Sequence, residues 1–376
     1  MDQQQETLQT PGVVEKYQEA GKIANNVLSQ LIAKITPGAT VISLTQFGDE
    51  QINEQVKKCY AKKKSMQKGI AFPTCISLNE VCGHYSPLVS DANEKEKEAG
   101  ILKEGDVVKI DLGVHIDGFI ALVGHTVVCQ AKAAPVTGQA ADVILAAYNG
   151  VQAALRLLKP GNTNQQITAI VPKIAEAYKT NPLEGVQSHD LQKHNIDGQF
   201  SILNKESYEQ KVDKHEFQVN EVYALNVIVS TGEGKSKEAD LRTTVYKRAI
   251  ERQFQLKTQK GREFYHEITQ KYPTLCFSIR SFEDEITAKL GVSECQKHEL
   301  LNAYPVFTEK PGNVVASFNI TALIGQGGTV AISGLPLDVS NFKTENKIED
   351  QAILDLLAQS MDKKEQKKQK KAAQKE

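Results

Sequence analysis

Apolar residues recur every three or four positions along residues 13 to 34, VVEKYQEAGKIANNVLSQLIAK, which predicts an amphipathic helix. The pattern returns along 139 to 158, QAADVILAAYNGVQAALRLL. Each stretch ends in a Pro-Gly turn, ITPGAT and KPGNT, whose prolines, Pro37 and Pro160, stand 123 residues apart. After each turn comes a second helical pattern, at 49 to 62 and 164 to 179. Segments of β type follow, at 70 to 82, 106 to 112 and 119 to 129 in the first half and at 186 to 202 and 221 to 230 in the second. The repeated order predicts an α/β fold of two similar halves. A duplication of this size places a site in the crevice between the halves.

From about 248 to 305 the pattern changes to short helical stretches rich in Lys, Arg and Glu, among them FSIRSFEDEITAKLGVSECQKHELL. An apolar strand pattern resumes at 314 to 324, VVASFNITALI. A body over 1–342 is therefore expected, carrying a helical subdomain inserted at about 248–305. Residues 343–376 hold a helix, 348 to 360, and then KKEQKKQKKAAQK, which has too few apolar residues to pack and is expected to be disordered.

Within the first half, residues 109 to 129, KIDLGVHIDGFIALVGHTVVC, read as a strand, a turn at His115 to Gly118 and a second strand. This apolar hairpin carries one carboxylate at its centre, Asp111. A buried acid is costly unless it is paired, hydrogen-bonded or metal-bound. The neighbouring position across the hairpin, where a second acid would stand, is Leu122.

Composition excludes several classes. No apolar run approaches the roughly 18 to 20 residues that cross a bilayer. The start of the chain, MDQQQETLQTPG, lacks the basic and apolar regions of a signal peptide, so residence in the cytosol is expected. The six cysteines, Cys59, Cys75, Cys82, Cys129, Cys276 and Cys295, form no C-x-x-C pair, which argues for reduced core residues over a disulfide framework or a structural zinc. The net charge of −1 conceals an asymmetry. Residues 57–68 hold six lysines and no acid, 235–262 hold nine Lys or Arg against three acids, and 361–376 hold seven lysines against three acids. Together these segments carry +16, so the rest of the chain is strongly acidic. Concentrated positive charge is the footprint of a polyanion binder, although a lysine run also serves as a plain solvated face.

Five stretches then fall in a familiar order: FPTCISLNEVCGHYSP (72 to 87), KIDLGVHIDG (109 to 118), SHDLQKHNIDG (188 to 198), VYALNVIVSTGEGK (222 to 235) and SFNITALI (317 to 324). They resemble the pita-bread (creatinase/methionine aminopeptidase-like) fold, in the type 2 branch that carries an insert. STGEGK, RTTVYKR (242 to 248), FEDE, CQKHELL and the lysine-rich tail further resemble the proliferation-associated, ErbB-binding protein family.

The resemblance implies that two divalent ions in the aminopeptidases are held by two aspartates, one histidine and two glutamates, at the positions of Asp111, Leu122, His189, Asn226 and Asn319. Only Asp111 and His189 keep those residue types. Hard or borderline cations need anionic oxygen to offset their charge and lost hydration. No cofactor or bound metal is therefore expected, and the chain reads as a pseudoenzyme with a remnant cleft at His84, Asp111 and His189. His84 falls where the aminopeptidases contact substrate. Asp111 and His189 are expected to form a hydrogen-bonded pair. No catalytic role is assigned to His194 or Asp197. No G-x-S-x-G elbow occurs, and STGEGK lacks the spacing of a phosphate loop.

The family resemblance implies a place at the large ribosomal subunit near the exit of the peptide tunnel, in translation or ribosome biogenesis. The expected partners are ribosomal RNA, its expansion segments included, tunnel-exit ribosomal proteins and the nascent chain. Candidate RNA contacts are Lys62, Lys63 and Lys64 after the second helix, and Lys235, Lys237, Arg242 and Lys247 before the insert. Arg248, Arg252, Lys257, Lys260 and Arg262 follow within it, and Lys363, Lys364, Lys367, Lys368, Lys370 and Lys371 lie in the tail. The tail could equally be a nuclear or nucleolar address. A nuclear signalling or transcription scaffold, and a hydrolase with a degenerate metal site, are the alternatives.

Overall fold

The computed structural model describes residues 6–63, 65–91, 100–208 and 210–361. The first half opens with helices α1 (Val13–Ile32) and α2 (Val41–Lys58). Strands β1 (Lys68–Leu78), β2 (Val107–Ile116) and β3 (Phe119–Val128) follow. The second half repeats this with α3 (Gly138–Leu157), α4 (Asn164–Ala177), β4 (Gln187–Asp190), β5 (Ser201–Leu203) and β6 (Val222–Ser230). After the inserted helices α5 (Gln259–Lys271) and α6 (Glu285–Lys297), strand β7 (Val315–Gly325) returns to the sheet. The last described helix is α7 (Gln351–Ala358).

α2 starts earlier than the 49 predicted, because Thr40 caps it: the hydroxyl accepts from the Ser43 amide at 3.2 Å. α4 is opened by a capping box between Thr163 and Gln166. The expected β run at 186–202 divides into β4 and β5. Between them His194, at φ +61°, belongs to a loop tied to the hairpin turn, its amide donating to Gly118 O at 2.8 Å.

The strands form one central sheet in the order β1–β2–β3–β7–β6–β4–β5, and every neighbouring pair is antiparallel. The two halves meet where β3 pairs with β7. Side chains alternate faces along each strand. Val108, Ile110, Leu112, Val114 and Ile116 of β2, with Ala121 and Val123 of β3, pack under α1 and α2. Tyr223, Leu225, Val227 and Val229 of β6 and Ala316, Phe318, Ile320 and Ala322 of β7 pack under α3 and α4. The remaining positions, 111, 122, 226 and 319, therefore share the face turned away from those helices. All six cysteines are free thiols, five buried and Cys59 half-buried.

The inserted region is helical only in part. Strand Val245–Arg248 pairs with Phe277–Ser278 on one side and Leu301–Tyr304 on the other, and this small sheet packs with α5 and α6 around Phe264, Ile268, Phe277, Phe282 and Val292. Pairing between positions as distant as Tyr246 and Phe277, or Val245 and Tyr304, leaves no local periodicity, so the sequence pattern reads as helix alone. The region is fastened to the body by Arg280, which is ion-paired to Asp49 of α2 and donates to Ser86 Oγ at 2.7 Å. Asp49 also accepts from the Thr74 amide at 2.8 Å.

Removing one partner of a buried ion pair leaves the other uncompensated, a cost of about 3–5 kcal/mol. Arg280→Met is expected to lower the unfolding free energy extrapolated from urea titration by that amount, with a corresponding fall in the midpoint, and Asp49→Asn added to it should recover part of the loss. An unchanged midpoint would mean that the insert docks without this pair.

Candidate functional site

The register of the sheet places four positions in one row. Asp111 on β2 is opposite Gly124 on β3, Gly124 is opposite Asn319 on β7, and Asn319 is opposite Asn226 on β6. Gly124 is the gap that lets the row close up: a Cβ there would collide with Asp111 Oδ1 and lie 2.9 Å from Asn319 Cβ. Leu122 sits two residues along β3, where a Cβ on Gly113 would meet its Cδ2 at 2.5 Å. His189 on β4 pairs with Ala224 of β6. Asp111, Leu122, His189, Asn226, Asn319 and His84 thus line one cavity of about 660 Å³, closed at its rim by Phe72, Tyr304 and Phe307.

His84, at φ +64°, packs in a triangle with the rings of Phe72 and Tyr304, whose centroids are 5.8 and 5.6 Å from its own. Its Nδ1 is 3.0 Å from Pro305 O, so the neutral ring carries its proton there. Burial lowers the pKa values of His84 and His189. The nearest polar partner of His189 Nδ1 is Ser201 Oγ at 3.4 Å. No hydrogen bond joins it to Asp111, which corrects the pairing expected from sequence: the two side chains rise from β2 and β4, separated by three intervening strands. At the mouth, Asp197 accepts from Tyr304 Oη at 3.0 Å and is ion-paired to Lys247.

Two charged groups on this face have shifted protonation. Burial raises the Asp111 carboxyl to about 7, opposed by Lys109. Lys109, two residues earlier on the same face, is fully enclosed and lowered to about 7 by burial. Its ammonium donates to Asn79 O at 2.7 Å and Val315 O at 3.1 Å, tying β1's end to β7. Sequence reasoning missed Lys109; its signal is a lysine two residues before Asp111, where alternation puts it on the cavity side of the sheet.

Residues 15–245 match the model of metallopeptidase family M24. The chain belongs to metallopeptidase family M24. Among its M24 relatives it is 43% identical to the ErbB-3 binding protein 1 of Arabidopsis thaliana, over 96% of this chain and 90% of that one. It is 41% identical to the curved DNA-binding protein of Schizosaccharomyces pombe, over 93% and 91%. A solved structure of a thermophilic Arx1 superposes with a TM-score of 0.86 at 32% identity, covering 93% of this chain and 99% of that one. The architecture is the pita-bread fold of the M24 family.

The donors in this M24 cleft do not fit a pair of divalent cations. The row supplies one carboxylate, whose charged form burial disfavours, and two neutral amides; Leu122 has no donor atom, and His189 stands apart. Asn319 Oδ1 is enclosed and has no hydrogen-bond partner, and as a neutral amide oxygen it brings no charge to offset a cation. Among the described residues no three His, Cys, Asp or Glu side chains converge as a metal set. Two ions would bring +4 to a row offering at most one negative charge.

The candidate basic residues divide. Lys62, Lys63, Lys235, Lys237, Arg242, Arg252, Lys257 and Lys260 are exposed. Three others have partners within the chain, Arg262 while exposed and Lys247 and Arg248 while half-buried. Arg248 donates to Pro273 O at 3.0 Å and Tyr265 Oη at 3.1 Å and covers the Tyr265 ring, Arg262 donates to Leu256 O and Lys257 O at 3.1 and 2.8 Å, and Lys247 holds Asp197. These interactions position the insert and the mouth of the cavity. Lys64, Lys363, Lys364, Lys367, Lys368, Lys370 and Lys371 lie outside the described residues.

Because the folded state holds a proton on Asp111 up to about 7 while an unfolded aspartate releases it near ~4, this carboxyl lowers stability progressively as pH rises through that window. Asp111→Asn removes the effect, and Lys109 is present in both proteins. The variant should exceed the parent in stability by on the order of 2 kcal/mol at pH 8 and match it near pH 4 in urea titrations. Equal stability at both pH values would show that Asp111 titrates normally.

Proposed function

We propose that this chain is a non-catalytic M24 protein that binds ribosomal RNA and docks on the large ribosomal subunit near the exit of the peptide tunnel. It acts there in translation or ribosome biogenesis, in the cytoplasm and the nucleolus. Expansion segments of the RNA and tunnel-exit ribosomal proteins are its contacts, with the nascent chain close by. The observation that carries the non-catalytic part is the row Asp111–Gly124–Asn319–Asn226, which presents amides where a dinuclear hydrolase needs bridging acids.

Support for the RNA part comes from charge. Exposed Lys237 stands on the short strand that pairs with Phe307–Thr308 beside the cavity, exposed Lys235 lies two residues before it, and exposed Lys257 and Lys260 flank the start of α5. Cations fixed to a folded scaffold match phosphate spacing on structured RNA. A relative of 41% identity bears a name for binding curved DNA, which agrees with a nucleic-acid surface on this scaffold. No helix among the described residues is long and apolar enough to cross a membrane.

Co-sedimentation with purified ribosomal subunits across a salt series tests the proposal. Binding should be confined to the large subunit and weaken with salt. Reversing Lys235, Lys237, Lys257 and Lys260 to Glu should abolish it at near-physiological salt, each lost phosphate contact reducing the slope of log affinity against log salt by roughly 0.7 to 0.9. Circular dichroism should be unchanged, since none of the four holds the fold. A variant that sediments like the parent would place the contact elsewhere, and a parent that ignores ribosomes would refute the proposal.

A further inference from the structure

Phe254 belongs to none of the apolar clusters, although it lies beside an insert core already filled by Phe264, Phe277 and Phe282. It is 43% exposed. Its ring stacks on His298, with centroids 3.6 Å apart and planes at 13°. His298 caps the C-terminus of α6 and its amide donates to Cys295 O, so the lower ring is fixed to a helix end. The result is a flat aromatic surface held rigidly from beneath.

A second Phe–His stack shows what an interior version looks like. Phe200 and His215 have the same 3.6 Å separation at 12°, but Phe200 packs against the main core and His215 Nε2 is bound to Glu221 at 2.8 Å. That stack serves folding. The Phe254 stack is open to solvent instead: Lys257 and Lys297 are exposed beside it in sequence. Glu294 near His298 is occupied by the Lys257 and Thr258 amides at 2.9 and 3.1 Å. Arg252 is 62% exposed in a surface ion pair with Glu299 at 3.0 Å. Such an exposed pair is worth little and yields readily to a phosphate.

We propose that Phe254, supported by His298, is a stacking platform for an unpaired RNA base, with Arg252, Lys257 and Lys297 receiving the flanking phosphates; this rests on the RNA-binding reading above. An apolar protein partner would want a continuous apolar patch, whereas a nucleotide wants one π face ringed by positive charge. The base must be unpaired, because within a duplex both of its faces are covered by neighbours. Recognition by stacking is tolerant of base identity, so the platform selects for loops and bulges, not for a sequence.

The test uses the full chain and two RNAs, a stem-loop with 2-aminopurine at an unpaired position and the fully paired duplex of equal length. The parent should bind the stem-loop about tenfold more tightly than the duplex and change the 2-aminopurine emission on binding. Phe254→Ala should lose about tenfold on the stem-loop and nothing on the duplex, with an unchanged salt slope, because stacking releases no counterions. Phe254→Tyr should behave as the parent. Melting temperatures should agree among the three, since the ring contributes to no core. If Phe254→Ala binds the stem-loop as the parent does, the platform is wrong while RNA binding stands. If the parent binds neither RNA, both fall.

Discussion

Because successive side chains of a strand point to opposite faces, Asp111 can reach the cavity only while Ile110 and Leu112 reach α1 and α2. The same constraint holds on β3, β6 and β7, and the cross-strand register then fixes Asp111, Asn319 and Asn226 in one line with Gly124 between. A one-residue slip would bury the amides among the leucines and valines under the helices. The cleft is therefore maintained by the hydrophobic core on its far side, whatever stands in it. That explains how a cavity can survive with Leu122 and two asparagines on its wall: packing of the opposite face holds the backbone, and the cleft-facing positions are open to change.

Electrostatics separates the two functional surfaces. In the cleft, low polarity works against charge: the carboxyl at 111 is raised, the lysine at 109 lowered, and the histidines at 84 and 189 lowered, all by burial. A site of this kind favours neutral groups. On the outside, lysines at 235, 237, 257 and 260 are solvated and screened, conditions in which exchange of counterions for phosphates is favourable. The interior and the surface of this M24 scaffold thus differ in the charge they sustain: the cleft disfavours ionised side chains, and the outside carries solvated lysines.

Much of this was legible in the sequence, for identifiable reasons. Helices with a clean 3.6-residue stripe appear where expected, α1 and α3 within two residues of their predicted ends. The hairpin of β2 and β3 is also present, with its turn at Asp117 and Gly118, both at positive φ. The row of cleft positions was foreseeable only through the family resemblance, since nothing local tells Asn226 that it will face Asn319. Non-local pairing defeated the reading of the insert, whose three strands meet from positions 245, 277 and 301 onward. It also hid Arg248, which looks like any exposed arginine until Tyr265 and Pro273 fold back over it. Phe254 was invisible for the opposite reason: an aromatic residue in a basic segment reads as core, and only its exposure reveals otherwise.

The central claim is that the row Asp111–Gly124–Asn319–Asn226, with Leu122 beside it, cannot support dinuclear hydrolysis. Release of methionine from a Met-Ala-Ser peptide, measured on the full chain with added cobalt, manganese, zinc or iron, tests that claim directly. The account predicts no turnover above the uncatalysed background with any of the four metals. Turnover that a chelator abolishes and added metal restores would contradict it.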